Sequence, residues 1–307
     1  MLKEGMNGFC MALADSVPGV SGGTVAFIMG FYDQFIGSVH NLAFGKMKEK
    51  KSALTYLAKL GTGWAIGMAM AVVVLSALFE SHIYAVSSLF IGFIGGAIPL
   101  IVKEETPKGY LSIIRQGGGK VNLWEIGKGI LFCLLGILLV AGITWANGRN
   151  GGAAMELGQF SIGASVKLFF IGMAAISAMF LPGISGSTLL LIFGAYIPVI
   201  TAIKGILSLE FSYIPCLIFF GCGILTGAVT VVKAIKICLE KFHPQTIYMI
   251  LGMMIGSFYA IVMGPTTLEM PQEALGPGNF HVAWAAVGVV LVLGMQMIKE
   301  RSEKSGN

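Results

Sequence analysis

Six apolar runs, near 60–79, 84–102, 127–145, 214–232, 247–263 and 280–298, constrain this 307-residue chain more than any motif in it. Each is close to the roughly 20 residues that a helix needs to cross the hydrocarbon core of a bilayer. In lipid a backbone must satisfy its own hydrogen bonds, so runs of this length read as membrane helices. Charged residues make up 11% of the chain, against roughly 25% in soluble domains, which leaves too little polar surface to face water. The 43 glycines suit helices that approach one another closely in a membrane. The net charge of +5 does not point to nucleic acid, because the basic residues sit in short loops between apolar runs. Cys10, Cys133, Cys216, Cys222 and Cys238 form no CxxC pair and read as small apolar fillers. Residues 1–30 do not read as a cleaved signal peptide, because Asp15, Pro18 and Gly19 break the apolar stretch.

The chain also repeats itself. Shifting it by 164 residues superposes Lys3 on Lys167, Gly8 on Gly172, Ala14 on Ala178, Pro18-Gly19 on Pro182-Gly183 and Ser21-Gly22 on Ser185-Gly186. Thr24, Ile28, Gly30, Tyr32 and Ile36 continue the match, giving 12 identities in the 34 positions from 3 to 36. The shared frame is VPGVSGGT at 17–24 and LPGISGST at 181–188. A second block matches at a shift of 160: Gly61, Gly63, Gly67, Glu80, Gly92 and Gly96 fall on Gly221, Gly223, Gly227, Glu240, Gly252 and Gly256. A single transmembrane domain over 1–307 is expected, with repeat 1 at 1–147 and repeat 2 at 163–300.

Each half begins with an apolar stretch interrupted by the Pro-Gly motif, 5–37 and 169–203, whose arms of about 12–16 residues are too short to cross. Pro-Gly reverses a chain, so each stretch reads as a re-entrant hairpin; a pair of tilted, kinked spans is the alternative. Lysines and arginines crowd the loops at 38–59, 103–126 and 233–246 and the C-terminal tail, and are sparse in the intervening loops. That alternation places both termini in the cytoplasm. Three spans plus a hairpin per half is an odd number of crossings, so the halves have opposite orientation. The expected fold is an all-α integral membrane protein with an inverted-topology repeat, six full transmembrane helices and two re-entrant helical hairpins. Transporters are commonly built this way.

The chemistry concentrates at the hairpin tips. A helix restarting near Ser21 has amides with no intrahelical partner, and its dipole adds partial positive charge. Gly22 and Gly23 permit close approach and Ser21 and Thr24 add hydroxyls, a set suited to an anion. Pro18 and Gly19, at the turn, complete the first candidate substrate-binding set, and the second tip repeats it with Pro182, Gly183, Ser185, Gly186, Ser187 and Thr188. The plainer alternative is that Ser and Thr cap the helices and the glycines serve packing. Asp15 lies one turn before the first tip and its repeat partner is Met179. A carboxylate among membrane residues is a functional candidate by default, here for proton coupling or gating; the alternative is a backbone hydrogen bond that shapes the loop. Glu80 and Glu240 read as boundary residues at helix ends. Lys3, Lys59, Lys167 and Lys204 flank the hairpins and read singly as interfacial anchors, with attraction of anionic headgroups toward the tips as the alternative. His40, His82, His243 and His281 lie in different loops with no metal-ligand spacing, so no metal and no cofactor is expected.

The pattern G-x5-A-D-x-x-P-G-x-S-G-G-T from Gly8 to Thr24, followed by Gly30 and Tyr32 and by P-G-I-S-G-S at 182–187, resembles the bacterial polyprenyl-phosphate transporter family. The resemblance covers nearly the whole chain. It implies a plasma-membrane flippase that returns undecaprenyl phosphate from the outer to the inner leaflet for reuse in envelope synthesis. The implied headgroup contacts are Ser21, Gly22, Gly23 and Thr24 with Ser185, Gly186, Ser187 and Thr188, and the other partners are membrane lipids. Two alternatives stand beside it: a transporter of a small soluble anion, and a membrane polyprenyl-pyrophosphate phosphatase. The phosphatase lacks support, because the spans offer no His and no Arg beside the hydroxyls; the chain is therefore not expected to be an enzyme.

Overall fold

A computed structural model describes residues 2–15, 21–70, 76–105, 123–149, 162–184, 186–193, 195, 198–199, 202, 211–267 and 271–305. These form α1 Leu2–Asp15, α2 Gly22–Ile28, α3 Tyr32–Phe44, α4 Met47–Met70, α5 Ser76–Glu105 and α6 Leu123–Arg149. Then follow α7 Ile162–Phe180, α8 Gly186–Ile192, α9 Ile214–Lys241, α10 His243–Met263 and α11 Val282–Ser305. The described residues contain helices and turns and no strand. Both α9 and α10 start with a proline in the first turn, where the missing N–H is not needed and the fixed φ suits the helix.

Among the described residues, five segments are long and apolar enough to cross a membrane: His82–Lys103, Gly127–Ala146, Ile162–Phe180, Ile214–Lys241 and His243–Thr266. The expected run at 280–298 supplies a shorter apolar segment, Val282–Gly294. The run at 60–79 starts inside α4, but residues 71–75 lie outside the described residues. The outward faces are apolar, as lipid requires: Leu138 on α6, Leu225 on α9 and Val290 on α11 are all exposed. Little of Gly127–Ala146 is buried.

Three local expectations change. The lysine-rich stretch at 38–59 is not an open loop: α3 runs to Phe44 and α4 starts at Met47. Lys and Glu are good helix formers, and Glu49 accepts a hydrogen bond from the Lys46 amide at 2.8 Å, closing the helix start in the manner of a capping box. The first arm of the second interrupted stretch is also longer than expected. It spans 19 residues, Ile162–Phe180, because residues 162–168 extend it. Length therefore does not exclude that arm from crossing. The break expected at 80–83 narrows to one non-helical residue, His82, with φ −138° and ψ 31°, inside α5.

Four helix pairs organise the fold: α1 with α4, α7 with α9, α5 with α11 and α6 with α10. Glycines set the crossings, because lipid offers little driving force beyond close packing. A Cβ on Gly8 would strike the backbone of Leu60 and Trp64, one on Gly63 that of Gly5, and one on Gly67 that of Phe9. Gly172 meets Phe220 and Ile224 in the same way, Gly223 meets Phe169, and Gly227 meets Met173. Every one of these contacts is its counterpart's under the sequence shifts. The other two pairs correspond likewise: Gly92 lies on Ala285 and Gly96 on Val289, as Gly252 lies on Cys133 and Gly256 on Ile137 and Val140. These last two pairs each join one half to the other. The main core also draws on both halves, including Val25, Tyr32, Ile94, Phe180, Ile184, Met253 and Met254.

Candidate functional site

Residues 21–24 of the first motif meet residues 181–183 of the second inside this core. Ser21 is the N-cap of α2, with φ −126° and ψ 137°. Its Oγ accepts from the Gly23 amide at 3.1 Å, the usual way a serine satisfies a first-turn donor. The same hydroxyl donates to the Leu181 carbonyl of the other half at 3.3 Å. The Thr24 amide donates to the Ser21 carbonyl at 2.9 Å. Ser21 and Thr24 are each only 1% exposed, and Gly22 and Gly23 are buried with them. Capping, the plainer reading of Ser21, is thus what this conformation contains.

Three first-half hydroxyls hold the second-half segment at 180–183. Besides Ser21 on Leu181, Thr24 Oγ1 accepts from the Gly183 amide at 2.7 Å. The Tyr32 hydroxyl donates to the Phe180 carbonyl at 2.8 Å. Close approach accompanies them, since a Cβ on Gly23 would lie 3.2 Å from the Met179 carbonyl oxygen. Gly183 has φ +86°, a region that side chains disfavour, and a Cβ there would also press on the Met253 carbonyl at 2.5 Å. Under the 164-residue shift the mirror-image bonds would link Ser185 to Val17, Thr188 to Gly19 and Tyr196 to Ser16. In each of those pairs at least one residue lies outside the described residues.

Asp15, the last residue of α1, bridges three elements. Its Oδ1 accepts from the Gly22 amide at 2.7 Å, and its Oδ2 accepts from Trp64 Nε1 of α4 at 3.0 Å. The carboxylate thus sits on the first amide of α2, where charge and dipole favour an anion. A Cβ on Gly22 would lie 2.7 Å from Oδ2, so this glycine is the space that the carboxylate needs. In this conformation the first three amides of α2 are therefore engaged: Gly22 by Asp15, Gly23 by the Ser21 side chain and Thr24 by the Ser21 carbonyl. An incoming anion would exchange with these partners.

Among the remaining candidates, Pro18, Gly19 and Ser185 lie outside the described residues. Pro182 and Gly183 are buried in the turn before α8, Gly186 opens α8 and is buried, and Thr188 is half-buried. Ser187 belongs to α8 by its backbone. Glu240 is exposed and lies 3.8 Å from Lys236. His40 lies near Lys236, at 3.2 Å, well away in sequence from His82, His243 and His281. No group of three or more potential metal ligands occurs among the described residues.

Two participants lie outside the candidate set: Trp64, and Tyr32, which enters the sequence pattern only as part of the repeat. A signal for Trp64 existed: its partner under the 160-residue shift is Ile224, so it departs from the repeat just as Asp15 does with Met179.

Comparison with known proteins identifies the family. The model of a family described as undecaprenyl phosphate translocase-like matches residues 11–277. A polyprenyl-phosphate transporter of Staphylococcus aureus (strain NCTC 8325 / PS 47) is 32% identical over 266 residues, covering 86% of this chain and 88% of the relative. A polyprenyl-phosphate transporter of Vibrio cholerae serotype O1 (strain ATCC 39315 / El Tor Inaba N16961) is 28% identical over 285 residues, covering 90% and 82%. No solved structure matches. With a match across most of its length, and with apolar helices to carry it, this chain belongs to the undecaprenyl phosphate translocase-like family of membrane transporters.

Proposed function

We propose that this chain carries undecaprenyl phosphate from the outer to the inner leaflet of the bacterial plasma membrane, for reuse in envelope synthesis, without covalent chemistry. The names of the two relatives support the substrate. The observation that carries the reading is the direct contact of the two duplicated motifs, Ser21 with Leu181 and Thr24 with Gly183, deep among apolar helices. A phosphate between them gains neutral, directional donors from both halves, while its polyprenyl tail stays in lipid. In this reading Ser21, Gly22, Gly23 and Thr24, with Ser185, Gly186, Ser187 and Thr188, receive the headgroup. Pro18, Gly19, Pro182 and Gly183 shape the two turns. Asp15 serves proton coupling or gating, and no other cofactor takes part.

The same proposal assigns the finer architecture. Repeats 1–147 and 163–300 lie inverted in the membrane, with six spans, two re-entrant hairpins and both termini in the cytoplasm. The matched glycine crossings support the duplication, and the alternation of basic loops supports the orientation. Transport alternates the exposure of the two tips, and the three bonds from Ser21, Thr24 and Tyr32 to the segment at 180–183 are those that break and re-form.

Proteoliposomes test this directly. Leaflet accessibility of undecaprenyl phosphate should change faster with wild-type protein than in empty liposomes, and the Ser21→Ala, Ser185→Ala double variant should slow it. Movement no faster than in empty liposomes would end the reading. In Asp15→Asn, net transport that has lost its pH dependence supports coupling, and unchanged behaviour removes it.

A further inference from the structure

The glycines that seat the first arm of each half on its partner helix are duplicated, yet one polar pair is not. Gly8, Gly22, Gly63 and Gly67 correspond to Gly172, Gly186, Gly223 and Gly227, while Asp15 and Trp64 correspond to Met179 and Ile224. The geometry is kept where the chemistry changes. A Cβ on Gly186 would lie 2.6 Å from Met179 Cγ and 3.2 Å from its Sδ, just as one on Gly22 would lie 2.7 Å from Asp15 Oδ2. Met179 therefore covers Gly186 as Asp15 covers Gly22. Both members of the pair are replaced together, and the arm still seats on its partner helix through the matching glycines. Holding α1 on α4 therefore does not by itself require a carboxylate or an indole N–H.

We infer that Asp15 and Trp64 work as one unit, a carboxylate latch on the first tip that the second tip lacks, with Trp64 as its positioning residue. The inference deepens the proposed phosphate site and rests on it. Asp15 occupies the Gly22 amide, so a phosphate headgroup reaches that amide only when the carboxylate leaves. Trp64 fixes the other oxygen at 3.0 Å, and Gly8 and Gly63 clamp the α1–α4 crossing from which the indole reaches. The two tips then differ in function: the first exchanges a tethered anion for the substrate's, and the second carries only a thioether over its glycine.

Two measurements test the latch. The first is hydrogen exchange of the Gly22 amide in purified protein without lipid substrate. Hydrogen bonds to a charged group are worth about 10-fold or more in an opening equilibrium, so Asp15→Asn and Trp64→Phe should each speed exchange by about that factor. The double variant should be no faster than Asp15→Asn alone. The second is the initial rate of undecaprenyl phosphate movement in proteoliposomes as a function of its density. Both single variants should lower KM by several-fold, with Trp64→Phe adding nothing in the Asp15→Asn background. The Asp15→Met, Trp64→Ile pair copies the second half's own solution, so it provides a folded variant with the latch removed and should lower KM too. Unchanged exchange at Gly22, a raised KM, or an undiminished effect of Trp64→Phe without the carboxylate would overturn the inference. Normal latch behaviour in a wild-type protein that moves no undecaprenyl phosphate would instead overturn the transport reading alone.

Discussion

Thr24→Val separates the cross-half hydrogen bond from the packing around it. Valine keeps the shape and removes the acceptor, leaving the Gly183 N–H, now bonded at 2.7 Å, without Thr24 Oγ1. The site cannot readily admit water in compensation, because Thr24 is 1% exposed and Gly183 is buried. A buried donor left unmade costs about 1–3 kcal/mol, so reversible unfolding in mixed micelles should register a loss of about 2 kcal/mol. Exchange of the Gly183 amide should accelerate by about 10-fold or more, since each 1.4 kcal/mol is a factor of ten. Thr24→Ser is the control. It keeps the hydroxyl and loses one methyl group, worth about 0.8 kcal/mol, and should leave Gly183 exchange near wild type. Equal stability and equal Gly183 exchange in the valine and serine variants would refute the claim that this bond ties the halves together.

Gly183→Ala should destabilise by about 2–5 kcal/mol in the same unfolding assay. The left-handed backbone contributes roughly 1–2 kcal/mol and the overlap with the Met253 carbonyl roughly 1–3 kcal/mol; a loss below 1 kcal/mol would show that neither applies. Gly61 and Gly63 share a helix but not a role, since nothing lies within 4 Å of a Cβ on Gly61 whereas one on Gly63 strikes Gly5. Gly61→Ala should be neutral or gain up to about 1 kcal/mol in helix propensity, while Gly63→Ala should disrupt the α1–α4 crossing. Gly221→Ala and Gly223→Ala should repeat the contrast in the other half, as both thermal unfolding and yield of folded protein will record.

Much of this was legible from spacing. Apolar runs near the length of a bilayer core announce their solvent, and glycines repeated at fixed offsets announce helix crossings. Gly8, Gly63 and Gly67 do sit at a crossing, and their shifted counterparts do the same. At the second Pro-Gly motif Gly183 adopts the positive φ that its type allows, while Pro18 and Gly19 lie outside the described residues. Partner choice was not legible, because hydroxyls and amides bind whatever the fold brings near them. Nothing in SGGT says that Ser21 will serve both the Gly23 amide and the Leu181 carbonyl. The helix at 162–180 starts before the apolar stretch at 169 and runs through polar Ser165, which is fully buried, and through Lys167. The lysines after Gly45 look like loop, although Lys and Glu continue a helix readily at a membrane edge. Trp64 was hidden because tryptophan in an apolar helix ordinarily means packing or an interfacial anchor; only its joint departure from the repeat with Asp15 gives it away.

The central claim is that both tips hold one phosphate headgroup, and hydrogen exchange with two lipids of the same tail tests it most directly. Undecaprenyl phosphate, compared with undecaprenol, should slow exchange of the amides at 21–24 and at 186–188 together, because an anion with several acceptor oxygens can take over these donors from both tips and a single neutral hydroxyl cannot. Equal protection by the two lipids, or protection confined to residues far from both motifs, would contradict the account.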